Sequence, residues 1–143
     1  MNENNNYETR IELEKTLSDL PAALETNFRA SVTTAIEILG ENKYLDWMYQ
    51  GILIAQHSFR SWESASEYFR VTPRVLDRLS FTDFREWTNW GKILTTESVA
   101  LATAYFRATP ETLDNLTHQQ IGDWASLGRS LYKGTWKSGI LST

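Results

Sequence analysis

The sequence predicts an all-α domain, a right-handed helical repeat of the solenoid-like class with units of about 37–40 residues. The segment YFRVTPRVLDRL at 68–79 returns as YFRATPETLDNL at 105–116, displaced by 37 residues. The spacing Trp-x3-Gly occurs three times, at Trp47, Trp87 and Trp124. A fixed period of this size is typical of stacked helical units, each of which buries its apolar face on its neighbour.

Composition limits the number of domains and the kind of partner. The chain has 143 residues, of which 41% are hydrophobic and 22% charged, and this suits one globular domain. Six tryptophans indicate packing or an interface, because Trp buries a large area and supplies few reactive groups. The net charge of −4 argues against nucleic acid as a partner, since phosphate binding needs a basic surface.

The same composition predicts a cytoplasmic protein. The absence of Cys excludes a disulfide framework and a Cys-ligated metal. The start, MNENNNYETR, lacks the basic and apolar regions of a signal peptide. The apolar stretch around 51–55 is too short to span a bilayer. We therefore expect a cytoplasmic location and no membrane partner.

The first 46 residues predict a degenerate N-terminal cap, at 7–46, preceded by a disordered terminus at 1–6 that is rich in Asn and Glu. Pro21 suits the first turn of a helix better than a helix interior, so we predict helices at 7–19 and 21–39. Apolar residues along both helices follow helical steps of three and four: Leu13, Leu17, Leu20, Leu24 and Phe28.

The single repeat domain, 7–138, continues with units at 47–86 and 87–123, a partial unit at 124–138 and a tail at 139–143. In the first helix of each unit, Trp is followed by Gly at +4, an apolar residue at +7 and Ser or Thr at +11, which predicts one helical face. Because Gly inside a helix costs about 1 kcal/mol relative to Ala, we expect a neighbouring ring or backbone against each glycine. The sets are Trp47/Gly51/Ile54/Ser58, Trp87/Gly91/Leu94/Ser98 and Trp124/Gly128/Leu131/Thr135.

The second helix of each unit is predicted to stop before a Thr-Pro pair, at 72–73 and at 109–110. Thr is a good N-cap and Pro suits the first helical position, so a short third helix is expected to follow. Capping boxes at 80–83 and 117–120 then predict the start of the next long helix. The first unit has three extra residues near 60–62, which a longer helix or a longer corner would absorb.

Catalytic and metal-binding motifs are absent from the sequence: it has no Gly-rich nucleotide-binding pattern, no H-E-x-x-H and no EF-hand loop. His57 and His118 occupy non-equivalent positions of the repeat and are interpreted as ordinary histidines. Ser58 adjoins His57, but neighbouring residues of a helix do not face each other. We therefore expect no cofactor, no metal and no enzymatic activity.

Charges recur with the aromatic residues. An Arg follows each repeated Phe, at Arg29, Arg70 and Arg107, and an acid precedes each repeated Trp, at Asp46, Glu86 and Asp123. One interpretation is a ladder of charges that binds an extended partner. The other, which we favour, is structural: each Arg lies near a helix C-terminus, where the helix dipole favours a cation, and pairs with an acid of the adjacent helix. The recurring Trp-Gly stripe predicts core packing rather than a ligand groove, because a glycine at this spacing requires another group packed against it.

Partner-binding residues are predicted where the copies disagree, because recurring positions serve the scaffold. Aromatic residues outside the strict repeat are candidates for interface hot spots. Arginines that have no counterpart in the next unit join them: Arg74 faces Glu111 in the alignment of the units, and Arg78 faces Asn115. The candidates are Arg60, Trp62, Arg74, Arg78, Trp90 and Trp136.

The repeated pattern, Trp-x3-Gly followed by Ala-x2-Tyr-Phe-Arg-x-Thr-Pro over about 47–138, resembles a known family. It is similar to helical repeats that precede the von Willebrand A domain in bacterial proteins of the nitric-oxide-reductase-activation and CoxE-like group. The resemblance implies work beside MoxR-type AAA+ ATPases, as a chaperone-like factor for cofactor insertion or complex maturation. The metal-binding D-x-S-x-S signature of that A domain is absent here, so the resemblance implies a helical module that binds but holds no metal.

These observations together predict a non-catalytic protein-binding module, an adaptor or chaperone-like factor. The expected partner is a protein, and the resemblance points to an AAA+ ATPase or a protein with a von Willebrand A domain. Two alternatives remain. The chain is a structural subunit that self-assembles by stacking its repeat ends into a homo-oligomer, or it binds a small molecule or lipid in a groove between helices.

Overall fold

Six α-helices make up the part of the chain that the computed structural model describes, residues 3–58, 60–117 and 119, and no strand occurs in it. The all-helical prediction is therefore confirmed for these residues. No helix in the same ranges combines the length and the apolar character needed to cross a membrane. The helices are α1 (Glu3–Ser18), α2 (Ala22–Leu39), α3 (Glu41–Gln56), α4 (Trp62–Leu76), α5 (Phe81–Glu97) and α6 (Val99–Asp114).

The helices divide into two sets by their position in the chain. α4 packs between α2 and α6, and we call these three the even-helix row. α3 packs on α4, α5 packs on α6, and α1 packs on α3. Contacts between α3 and α5 are few, so these two helices lie apart from each other while each packs on the row.

The N-terminal helices lie close to their predicted positions. α1 begins at Glu3, so residues 3–6, predicted as disordered, belong to this helix. Extending an existing helix by a turn is far easier than nucleating one, and this explains the earlier start. Pro21 immediately precedes α2 and lies outside the first turn that we predicted for it. A single residue, Gly40, joins α2 to α3 at a φ of 80°, a left-handed conformation that favours glycine.

The two repeats share one set of buried contacts, which we call the tryptophan lock. The indole Nε1–H of Trp47 donates to the hydroxyl of Thr72, and that of Trp87 donates to Thr109, both at 2.9 Å. Each threonine hydroxyl also donates to the carbonyl four residues earlier in its own helix, at 2.7 Å in both copies. Both tryptophans are almost fully buried, which confirms that these positions belong to the core.

The repeated glycines are explained by the phenylalanine of the same lock. A Cβ added to Gly51 would lie 2.0 Å from Cζ of Phe69, and one added to Gly91 would lie 2.0 Å from Cζ of Phe106. Each of these rings meets the tryptophan of its lock edge-on, with an interplanar angle of 79° in both copies. The predicted ring contact against the glycine is therefore confirmed in both described units.

The even helices run straight through the Thr-Pro pairs, so the predicted break before them is wrong. α4 contains Pro73 and continues to Leu76, and α6 contains Pro110 and continues to Asp114. The physical reason is that the threonine hydroxyl is already used in the tryptophan lock and does not cap a new helix. Pro73 leaves the carbonyl of Phe69 without its helical donor, and the hydroxyl of Ser31 in α2 donates to that oxygen at 2.6 Å.

The predicted serine positions on the tryptophan face are also wrong. Ser58 lies beyond the end of α3, and Ser98 is the N-cap of α6, where its hydroxyl accepts from the N–H of Leu101 at 3.1 Å. The third member, Thr135, lies outside the described residues. At the predicted box of 80–83, Ser80 accepts from the N–H of Asp83 at 3.2 Å. The box at 117–120 extends outside the described residues.

The three extra residues of the first unit lengthen the corner between its helices. Residues 57–61 join α3 to α4, whereas a single residue, Ser98, joins α5 to α6. Within the longer corner, the buried hydroxyl of Ser61 accepts from the N–H of Ser58 at 3.0 Å and donates to the carbonyl of Ala55 at 2.8 Å. Arg60 has a φ of 71°, a left-handed conformation that is strained for a residue with a Cβ.

Candidate functional site

The candidate residues from sequence do not form one surface. Arg60 is exposed in the corner before α4, and Trp62 is half-buried at the start of that helix, packed against the core. Trp90 is likewise half-buried on α5 against the core. Trp136 lies outside the described residues. These side chains are therefore dispersed over two helices and one corner.

The two remaining candidates, Arg74 and Arg78, lie one turn apart on α4 and reach across to α6. Arg74 pairs with Asp114 at 2.6 Å. Arg78 lies 3.6 Å from the same carboxylate and donates to the carbonyl of Leu116 at 2.8 Å. Both guanidinium groups thus join two helices of the even-helix row.

The recurring arginines are also engaged within the described helices. Arg107 of α6 pairs with Glu67 of α4 at 2.9 Å, and Arg70 pairs with the same carboxylate. Arg29 lies 3.9 Å from Glu25, one turn earlier in α2. Pairing with an acid of the adjacent helix therefore occurs at Arg107. Because α4 and α6 continue past their Pro residues, the predicted location of Arg70 and Arg107 near a helix C-terminus is wrong.

Buried hydroxyls of the even-helix row and of the locks serve the packing. Tyr105 donates to the carbonyl of Trp87 at 3.0 Å, and Tyr68 accepts from Thr88 at 3.2 Å. Burial raises the pKa of both tyrosine hydroxyls well above the ordinary value, so both stay neutral at physiological pH. A neutral, hydrogen-bonded phenol in a closed core offers no acid–base chemistry at neutral pH.

A different surface lies in the space between α3 and α5, and we call it the α3–α5 valley. Its α3 wall is formed by residues at helical steps of three and four: Lys43, Asp46, Gln50, Leu53 and His57. The α5 wall faces it with residues on a matching stripe: Phe81, Arg85, Asn89, Lys92, Ile93 and Thr96. Trp47, Tyr68 and Thr88 lie on the floor at one end, so the first tryptophan lock borders the valley.

One strut crosses the valley. The ammonium group of Lys92 on α5 donates to the side-chain carbonyl oxygen of Gln50 on α3 at 2.5 Å. Gln50 in turn donates to the carboxylate of Asp46 at 3.1 Å. On one side of this strut the lining is polar and charged. On the other side Leu53, 36% exposed, faces the half-buried Ile93.

The cations of the valley lack carboxylate partners. Arg85 makes no ion pair within the described ranges, and neither does Lys43, whose ammonium group lies 4.2 Å from the centre of the Phe81 ring. Within the described residues, the partner of Lys92 is the neutral Gln50. With Asp46 as the carboxylate of the walls, three cations face one anion in a chain whose net charge is −4.

A second groove runs between α1 and α3 and is more apolar. Leu13, Leu45 and the half-exposed Tyr49 line it. Below it, the buried hydroxyl of Tyr44 has no hydrogen-bond partner within the described part of the chain, and burial raises its pKa. The guanidinium of Arg10 lies 5.4 Å from the centre of that ring.

No grouping of three or more His, Asp and Glu side chains suited to a metal ion occurs in residues 3–58, 60–117 and 119. His57 is exposed beyond the end of α3, and His118 lies outside these ranges.

Sequence reasoning missed the valley. Its signal was present as a second stripe on α3, offset by one residue from the Trp-Gly stripe and charged instead of apolar. Asp46 belongs to the recurring acids, whereas Lys43, Arg85 and Lys92 belong to no motif of the sequence. The spacing between α3 and α5 that brings these residues to one surface is a tertiary feature that the pattern of one helix does not reveal.

No family model matches the chain, and no curated protein or solved structure matches it. The resemblance to the repeats of the nitric-oxide-reductase-activation and CoxE-like group therefore stays a prediction.

Proposed function

We propose that this chain is a non-catalytic, solenoid-like helical-repeat module that binds a protein partner. The observation that carries the proposal is the contrast between positions that recur and positions that do not. The recurring Trp, Gly, Phe and Thr residues are buried in the hydrogen bonds and ring contacts of the two locks. Apart from Asp46, where an acid recurs, the α3–α5 valley is lined mostly by residues that differ between the units, and its wall residues are exposed or half-buried. Repeat proteins present such variable positions on a pre-formed surface to a partner.

The closed core favours binding over catalysis. Buried tyrosine hydroxyls are neutral and hydrogen-bonded, and the charged groups of the valley are at its surface. A rigid scaffold loses little conformational entropy on binding, and this favours recognition by a pre-formed groove. The role of an adaptor or chaperone-like factor beside a MoxR-type AAA+ ATPase follows from the sequence resemblance, and it gives a first partner to test.

Binding to purified candidates tests this proposal. The chain is immobilised, and a MoxR-type ATPase and a protein with a von Willebrand A domain are passed over it, with and without ATP. Saturable binding that survives dilution supports the adaptor role. If neither protein binds while the immobilised chain remains folded, the AAA+ association is wrong.

Self-assembly is a second candidate, favoured by the outer face of α2. α6 contacts α4 through Val99, Thr103, Arg107 and Asp114. Phe28 stacks on Trp47 as Tyr68 stacks on Trp87, and this structural register places Ala30, not Arg29, at the position of Arg107. The four equivalent α2 residues are exposed: Ala22, Thr26, Ala30 and Glu37. Within the described residues, this face of α2 is thus exposed at its end of the even-helix row.

Light scattering separates the two candidates. Stacking through this face predicts oligomers that increase with concentration and that Thr26→Arg abolishes, because the equivalent Thr103 is buried against Ser64. A monomer over the whole concentration range would remove self-assembly and leave protein recognition in place.

A further inference from the structure

We propose that the α3–α5 valley binds an extended acidic peptide segment that carries an aliphatic anchor residue. This inference rests on the proposed protein-binding function and names the chemistry of the partner.

Charge complementarity identifies the sign of the partner. The arginines of the even-helix row have carboxylate partners, as the pairs of Arg74 with Asp114 and of Arg107 with Glu67 show. Lys43 and Arg85, in contrast, face the valley with no carboxylate within ion-pair distance in the described residues. An acidic segment would supply the missing anions at this end.

The order of groups along the valley identifies the rest of the segment. Beyond the Lys92–Gln50 strut, Leu53 and Ile93 form an apolar patch that an aliphatic side chain would cover. The α3 wall from Lys43 to His57 spans about 21 Å at the helical rise. An extended chain covers that distance with about six residues.

Polar groups suited to a peptide backbone lie between the two ends. The carboxamide of Asn89 is exposed and makes no side-chain hydrogen bond within the described part of the chain, so both its donor and its acceptor are available. Asp46 keeps free acceptor capacity beyond its bond from Gln50. An extended peptide presents N–H and C=O groups that these side chains can pair.

A peptide fits this surface better than nucleic acid does. Three cations over about 21 Å give weak phosphate binding, and the rest of the chain is acidic. A single-stranded oligonucleotide is nevertheless included as a competitor in the test.

The experiment is a selection of displayed random peptides of about nine residues on the immobilised full chain. The valley variant is Lys43→Ser with Arg85→Ser. The control, Arg29→Ser with Arg107→Ser, removes the same charge from exposed sites of the even-helix row. Thermal melts of both variants establish that they fold. All these side chains are exposed, so each variant remains a usable test.

We expect enriched peptides that combine Asp or Glu with Leu or Ile two to five residues away. Their affinity should fall about tenfold or more on the valley variant, less than about twofold on the control, and further in about 0.5 M salt. Enriched peptides that bind the valley variant undiminished, or that lack acidic residues, overturn the acidic-peptide inference and leave protein binding supported.

Two further outcomes count against the inference. Displacement of the peptides by the oligonucleotide at equal concentration would assign the valley to nucleic acid. A selection with no enrichment on the wild-type chain would count against this inference, whereas the proposed function is judged separately by the binding of the purified ATPase and A-domain protein.

Discussion

The even-helix row and the α3–α5 valley differ in how closely helices of the two sets pack together. In the row, successive helices pack closely, and buried hydroxyls join them, as between Ser64 and Thr103 at 2.9 Å. In the valley, the corresponding odd helices lie farther apart, and the lysine–glutamine strut joins them. The arginines of the row share the carboxylates of Glu67 and Asp114, whereas Lys43 and Arg85 of the valley have no carboxylate partner within the described residues.

The difference shows which residues of the repeat are free to vary. Residues of the tryptophan locks recur, because a change in volume in the close-packed core is felt by several helices at once. Residues on the valley walls are exposed or half-buried, and the walls are joined by the Lys92–Gln50 strut and the Lys43–Phe81 contact. Most wall residues can therefore carry recognition with little effect on the packing. Substitutions on the two sides should therefore separate stability from binding.

The largest effect should come from the lock. Trp87→Ala removes a buried ring and its hydrogen bond to Thr109, and we expect a loss of about 3–5 kcal/mol in the free energy of unfolding. Denaturant unfolding measures it. A loss below about 1 kcal/mol would mean that the ring is not core and would return the tryptophan row to the candidate binding surfaces.

The next largest loss of stability is expected for Gly91→Leu. Leucine gains about 1 kcal/mol in helix propensity, but its side chain must displace the ring of Phe106, and overpacking of this kind costs about 1–3 kcal/mol or more. Thr33→Ala on the exposed face of α2 is the control, since it changes propensity without a core contact. A Gly91→Leu variant that melts at or above the wild type contradicts the close-contact explanation.

Ser31→Ala tests how the row tolerates proline. It removes the donor to the carbonyl of Phe69, and we expect the free energy of unfolding to fall by about 1–3 kcal/mol. In a Pro73→Ala background the restored N–H can bond that carbonyl, so the same substitution should cost less. An equal cost in both backgrounds, from a double-mutant cycle of unfolding free energies, would show that the serine acts through packing alone.

The smallest effect on stability is expected on the valley walls. Lys43→Ser with Arg85→Ser alters exposed residues without ion pairs, so the free energy of unfolding should change by less than about 0.5 kcal/mol. Urea unfolding of the double variant beside the wild type measures it. A loss of several kcal/mol would mean that the valley is part of the packed body.

Much of the scaffold could be predicted from sequence because its signals are local or periodic. The helix starts near Pro21 and Ser80, the buried Trp47 and Trp87, and the crowded Gly51 and Gly91 all follow from spacing and residue type. The predicted helix break at the Thr-Pro pairs was wrong because of a contact between helices that the local sequence does not reveal. The hydroxyl that would cap a new helix is bonded to a tryptophan 25 residues earlier in the first unit.

The candidate site was harder to predict because it depends on the distance between helices that are not adjacent in sequence. Lys43 and Lys92 belong to no motif. They become candidate binding residues because α3 and α5 lie apart and both lysines line the space between them. Arg74 and Arg78 show the converse. Their variability suggested recognition, and the structure places them in an ion-pair cluster with Asp114 between α4 and α6.

The most direct test of the division between scaffold and valley measures both properties on two variants. Thr109→Val breaks the lock without touching the valley walls, and Lys43→Ser with Arg85→Ser changes the walls without touching the lock. Unfolding free energy and affinity for a selected acidic peptide are measured for each. For Thr109→Val we predict a loss of about 1–3 kcal/mol in the free energy of unfolding with unchanged peptide affinity. For Lys43→Ser with Arg85→Ser we predict an affinity about tenfold lower with unchanged stability. Parallel losses of stability and affinity in both variants would contradict the account.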